Sequence, residues 1–130
     1  MSNTLAQERS LFALDQLKQR DVHQAEKFDK LVLSLPAMIL QNGLGQTLAF
    51  LLSKGTDDKG KIKPNDRHIV AFKIMINWLN RRGILKSTDA LVAVTDLSEL
   101  DQRQYLFAQE EALKVLEWVK RYANAGLFLK

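Results

Sequence analysis

The chain has 130 residues, 46% of them hydrophobic and 26% charged, with no cysteine and a formal net charge of +4. That length supports one core-bearing domain over residues 1–130, and the composition excludes disulfide staples and thiolate metal sites. The opening residues Met1 to Arg9 lack the basic stretch and apolar block of a secretory signal, so the protein is expected to be cytoplasmic.

The first helix is predicted to begin near Thr4, whose hydroxyl suits a cap, and to run through Leu11, Leu14 and Leu17 before continuing or kinking near Asp21. Beyond it Ala25, Phe28, Val32, Leu35 and Ile39 recur every three or four residues, one apolar stripe aimed at a core. Pro36 cannot donate to the helical ladder, so a kink or a fresh start is expected there. Gly43 and Gly45 supply a permissive turn into a second short apolar helix, near 45–53. Residues 55–66, with two charged pairs, a glycine and a proline, read as an exposed loop. Asn65 or Asp66 is placed to cap the next helix, which stops at Gly83. That helix turns Ile69, Phe72, Ile76 and Leu79 inward and gathers Lys73, Asn77 and Arg81 on the opposite side. A short helix starting at 87–89 is expected to end near Val94, and Ser98 to cap a last long helix reaching Asn124. The result is an all-α, compact single-domain bundle of five to seven helices.

Between Lys30 and Lys54 lie 23 residues without a charge. The run is long enough to span a bilayer, for which about 20 apolar residues suffice. Pro36, Gly43, Gly45 and the amides of Gln41, Asn42 and Gln46 break it, however. Two buried helices about a glycine turn cost less than backbone groups and amides left in hydrocarbon.

Charge is unevenly spread. Residues 1–53 balance five cations with five acids, whereas residues 54–86 hold nine Lys/Arg against three Asp/Glu, and residues 87–130 are slightly acidic. Lys59, Lys61 and Lys63 lie in the loop, and Arg67, Lys73, Arg81 and Arg82 on the helix after it. Such a region suits phosphate neutralisation and counterion release, and equally a solvated loop and helix face. No aromatic residues interleave to stack splayed bases, so sequence-specific single-strand reading is not supported.

Residues suited to catalysis are few. His23 and His68 sit on separate predicted helices, and no HExxH, HxH or Cys/His spacing calls for a metal or any other cofactor. Gly43-Leu44-Gly45 lacks the preceding strand and third glycine of a nucleotide loop. Asp57-Asp58 lies among lysines, which disfavours a cation site. A small hydrolase or nuclease using His23 or His68 with Asp66 is an alternative reading, and a membrane-associated helical protein another. On the last helix Ala108, Ala112, Val115, Val119 and Tyr122 form a core stripe, while Phe107, Glu111, Trp118 and Arg121 fall on the side of Lys114. A helix apolar on two sides is either sandwiched in its own bundle or binds another subunit. Phe107 and Trp118 are therefore the candidate subunit-interface residues.

Three stretches carry a family resemblance: LPAMILQNGLGQTLAFLLSK at 35–54, NWLNRRG at 77–83, and YLFAQEEALKVLEWVKRYANAGL at 105–127. With them the chain resembles the small all-helical subunit of the Cmr-type (type III-B) CRISPR RNA-guided effector complex. The resemblance implies a bundle with no catalytic residues or activity of its own, serving antiviral defence. It also implies stacking with copies of itself beside the backbone subunits that hold the crRNA, lining the target-RNA channel. Under that expectation Arg67, Lys73, Arg81, Arg82, Lys120 and Arg121 are the candidate RNA contacts.

Overall fold

A computed structural model describes residues 3–19 and 27–126; His23, Asp21 and Ala25 lie outside them. The described residues form six helices: α1 (Leu5–Gln19), α2 (Phe28–Asn42), α3 (Leu44–Lys54), α4 (Arg67–Arg81), α5 (Ala90–Glu99) and α6 (Gln102–Asn124). The one pairing of extended backbone among them is an isolated bridge between Thr56 and Ile62. The all-α expectation holds.

Local chemistry sets the boundaries. Thr4 and Gln7 exchange backbone-to-side-chain hydrogen bonds of 2.8 and 3.1 Å at the start of α1. Asp66 and Asp89 cap α4 and α5 by accepting from the backbone N–H of His68 and Val92. Two expectations change at the C-terminal end. Helix α5 continues past Val94 to Glu99, so Ser98 is inside it and donates back to the Val94 carbonyl. The cap of α6 is Asp101, which forms a reciprocal capping box with Gln104.

Pro36 neither ends nor restarts α2, which runs through it to Asn42. Proline inside a helix costs roughly 3 kcal/mol. Phe28, Val32, Leu35 and Ile39 on both sides of it are buried, and each such side chain gains about 1.5–3 kcal/mol. Packing wins.

The uncharged run is thus divided between α2 and α3. Among the described residues no helix is long and apolar enough to cross a membrane. The break is at Gly43, whose N–H bonds the Ile39 carbonyl at 2.7 Å while its backbone sits at φ 87°, ψ 160°, a region open essentially to glycine alone.

Helix α4 is the centre of the bundle. Nine of its side chains are buried, from Ile69 to Leu79, with Trp78 among the largest. It packs on α3 and α6, and also touches α1, α2 and α5. Helix α6 lies against α1, α2 and α4, closing the other side of the same core.

Candidate nucleic-acid interface

From Ile69 onward α4 leaves Lys73, Asn77, Asn80 and Arg81 outside the core along one stripe, as the spacing predicts, while its other positions are buried. Arg67 stands at its N-terminal end, beside the loop that carries Lys59, Lys61 and Lys63. That loop is exposed but well tied. Asp57 Oδ1 accepts from the N–H of Lys59 and of Lys61, both at 2.9 Å, and Lys63 N–H bonds the Gly55 carbonyl. Lys73 is half-buried and donates to the Thr88 carbonyl at 2.6 Å. It shares a shallow depression with Ile62, Pro64, Ile69 and Asn77, so the loop and Lys73 belong to one side of the bundle.

Arg81 and Arg82 occupy the far end of α4, about 21 Å along the axis from Arg67. The Arg81 guanidinium lies 5.8 Å from the centroid of the Phe12 ring of α1. Arg82 turns inward instead, its Nε reaching Glu111 Oε1 at 3.3 Å, with the side chain 31% exposed. On α6, Lys120 pairs with Glu117 at 2.8 Å, while Arg121 is exposed. Arg67 and Arg121 make no ion pair among the described residues.

Glu111 is the feature whose role sequence reasoning missed. Placed on the side of α6 that carries Phe107 and Trp118, it is only 2% exposed. Its carboxylate accepts from Arg9 Nη2 at 2.8 Å, from Trp78 Nε1 at 3.1 Å and from Arg82 Nε, joining α1, α4 and α6. Burial alone would push this carboxyl up. The hydrogen bonds from Arg9 and Trp78, with the charges of Arg9 and Arg82, outweigh that and hold it below the usual range. The available signal was Arg9, a charge set among the inward positions of α1. Pairing it with an acid a hundred residues away required the fold.

Phe107 and Trp118 have different surroundings. Phe107 is 43% exposed and neighbours exposed Leu106. Trp118 is half-buried, stacks on Tyr122 with ring centroids 6.0 Å apart, and faces Ala6, Ser10 and Leu11 across a groove between α1 and α6. Of the two readings of a helix apolar on both sides, its own bundle sandwiches the Trp118 part; Phe107 stays open.

Sequence reading also missed what holds the glycine turn. The first N–H groups of α3 have no helical partners of their own. Leu44 N–H donates to Gln109 Oε1 at 2.9 Å and Gly45 N–H to Tyr105 Oη at 2.8 Å. A Cβ at either Gly43 or Gly45 would lie 3.3 Å from Tyr105 Oη. The turn is a docking point for α6, whereas the side chains of Gln41, Asn42 and Gln46 are largely outside the core.

His68 Nδ1 meets Asp66 Oδ1 at 2.8 Å, and the same oxygen accepts the His68 N–H. Desolvation opposes ionisation of Asp66, but the His68 contacts and Lys63 hold its carboxyl below the usual range. The geometry is that of a helix cap reinforced by an imidazole. Among the described residues no group of three or more His, Asp or Glu is placed to hold a metal ion.

Set against known protein families, residues 5–126 match the model described as CRISPR-associated protein (Cas_Cmr5). The match takes in all six helices.

Proposed function

The chain belongs to the Cas_Cmr5 family of Cmr-type, type III-B CRISPR-associated subunits, and from that premise we propose that it is a non-catalytic structural subunit helping to form the target-RNA channel. Family membership implies assembly with other subunits of the effector complex. In the proposed role, copies of the chain stack beside the crRNA-holding backbone subunits in the cytoplasm and serve antiviral defence. Phe107, with Leu106 beside it, contributes apolar surface to that packing, and Trp118 contributes from its groove.

The observation that carries the reading is the set of cations left on the outside of the bundle. Arg67, Arg81 and Arg121 keep their charge near or in solvent, and Lys73, Arg82 and Lys120 stand beside them, each holding one internal partner. Charge delivered by long side chains on rigid helices suits backbone phosphates, which require no base code. A hydrolase using His68 with Asp66 is the alternative; loss of turnover on His68→Ala by purified protein would support it.

Affinity purification of the tagged chain from its native cell tests the proposal. Co-purified crRNA and backbone subunits are the expected result. Recovery of the chain without RNA would overturn it.

A further inference from the structure

Arg9, Glu111 and Arg82 form a cluster with two positive charges and one negative. Arg9 is 7% exposed and Glu111 2%, so these two neutralise each other inside the bundle. Glu111 Oε2 takes Arg9, and Oε1 is shared by Trp78 and Arg82. The surplus charge resides on Arg82, the member whose side chain reaches solvent. Its Nε donates to Glu111 Oε1 at 3.3 Å, which orients the guanidinium, and its Nη groups have no hydrogen-bond partner among the described residues. The neighbouring residue, Arg81, is held against the Phe12 ring. The guanidinium groups of two successive residues at the end of α4 are therefore each held by a partner on a different helix, Glu111 on α6 for Arg82 and Phe12 on α1 for Arg81.

Resting on the reading that this subunit meets RNA, we infer that Arg81 and Arg82 form a preorganised phosphodiester site, and that Glu111 is the positioning residue that aims Arg82. The ligand is one backbone phosphate of the bound RNA. An arginine held in plane presents paired donors to phosphate oxygens, and less ordering is lost when the bond forms. A flexible lysine at the same place supplies charge without that geometry.

Charge counting and positioning make opposite forecasts for Glu111→Gln. Removing a negative charge near RNA tightens binding if only net charge matters. If Glu111 aims Arg82, the change weakens binding although the subunit becomes more positive. The assay is affinity of the assembled complex for target RNA complementary to its crRNA, with wild-type chain, Arg82→Lys, Arg82→Met, Glu111→Gln, and Arg67→Glu with Arg121→Glu. Arg82→Lys is expected to lose about as much as Arg82→Met, up to about tenfold, and Glu111→Gln to weaken binding in the same direction. Wild-type affinity in Arg82→Lys overturns the site, and unchanged or tighter binding in Glu111→Gln overturns the positioning role. Should Glu111→Gln fail to assemble, the partly exposed Arg82 variants decide the site, and Glu111→Gln with Arg9→Met, in which no buried charge is stranded, decides the positioning role: binding as tight as in Arg9→Met alone overturns it. The Arg67/Arg121 variant separates the two levels. If it too is neutral, the RNA-contact reading falls with the site; if it weakens binding while Arg82→Lys does not, only the site falls.

Discussion

The carboxylate of Glu111 receives Arg9 Nη2 at 2.8 Å, with both side chains withdrawn from solvent. The two residues are 102 positions apart, so this ion pair fastens the first helix to the last. Removing one partner of such a pair strands a charge in the interior, at a cost of about 3–5 kcal/mol. Replacing both with uncharged groups that keep the other hydrogen bonds costs far less.

Stability of the isolated chain should follow that asymmetry. Glu111→Gln is expected to lose about 3–5 kcal/mol in urea unfolding, since buried Arg9 loses its counter-charge. Adding Arg9→Met should restore more than half of the loss, because the introduced amide oxygen still accepts from Trp78 Nε1. Additive losses in the double variant would show that the pair is not coupled.

The pH dependence has a definite sign. The folded-state value for Glu111 lies below that of the unfolded chain, where an ordinary Glu titrates at about 4.3. Its stabilisation is therefore complete above that ordinary value and is lost as pH falls through the lower folded one. Asp66 is shifted the same way and adds to the acid sensitivity. Unfolding measured from neutral pH downward should decline less steeply for the Arg9→Met, Glu111→Gln variant than for the wild type. An identical slope would remove Glu111 from the account.

Gly55 tests close packing. Its φ of −97° is open to any residue, yet a Cβ there would lie 2.2 Å from Ile69 Cγ1 and 2.5 Å from Cδ1. Gly55→Ala should cost about 1–3 kcal/mol by overpacking. Because Ile69→Ala removes both clashing atoms, the penalty for adding alanine at 55 should largely vanish in an Ile69→Ala background. Thermal unfolding of the four-member cycle measures the coupling.

Gly43 differs, since there the backbone itself excludes a side chain. Gly43→Ala should cost about 1–3 kcal/mol in any background. Tyr105→Phe, which orphans the Gly45 N–H, should cost about 1 kcal/mol. If denaturant unfolding finds Gly43→Ala neutral, the account of the turn is wrong.

Helix number, type and most of the core were legible in the sequence because apolar spacing and caps are local. Ile69, Phe72, Ile76 and Leu79 pointed inward as expected, and Asp66 capped its helix. Of the kink or fresh start expected at Pro36, the fresh start does not occur, because local propensity says nothing of the burial on either side of it. Ser98 misled because a serine followed by acidic residues resembles a helix start, although its hydroxyl is satisfied within α5. The candidate site was legible as a stripe but not in its contacts. Lys73 and Arg81 lie outside the core on one side of α4 as expected, whereas the partners that hold them, the Thr88 carbonyl and the Phe12 ring, come from other parts of the chain. Glu111 was unreadable because its partners come from α1 and α4, far from it in sequence.

The central claim is that the outer cations of this subunit contact RNA phosphates. Its most direct test is the salt dependence of target-RNA binding by the assembled complex carrying Arg67→Glu and Arg121→Glu. Each lost phosphate contact should reduce the slope of log K against log salt by about 0.7–0.9 and lower affinity at low salt. An unchanged slope and affinity, with the variant fully assembled, would contradict the account.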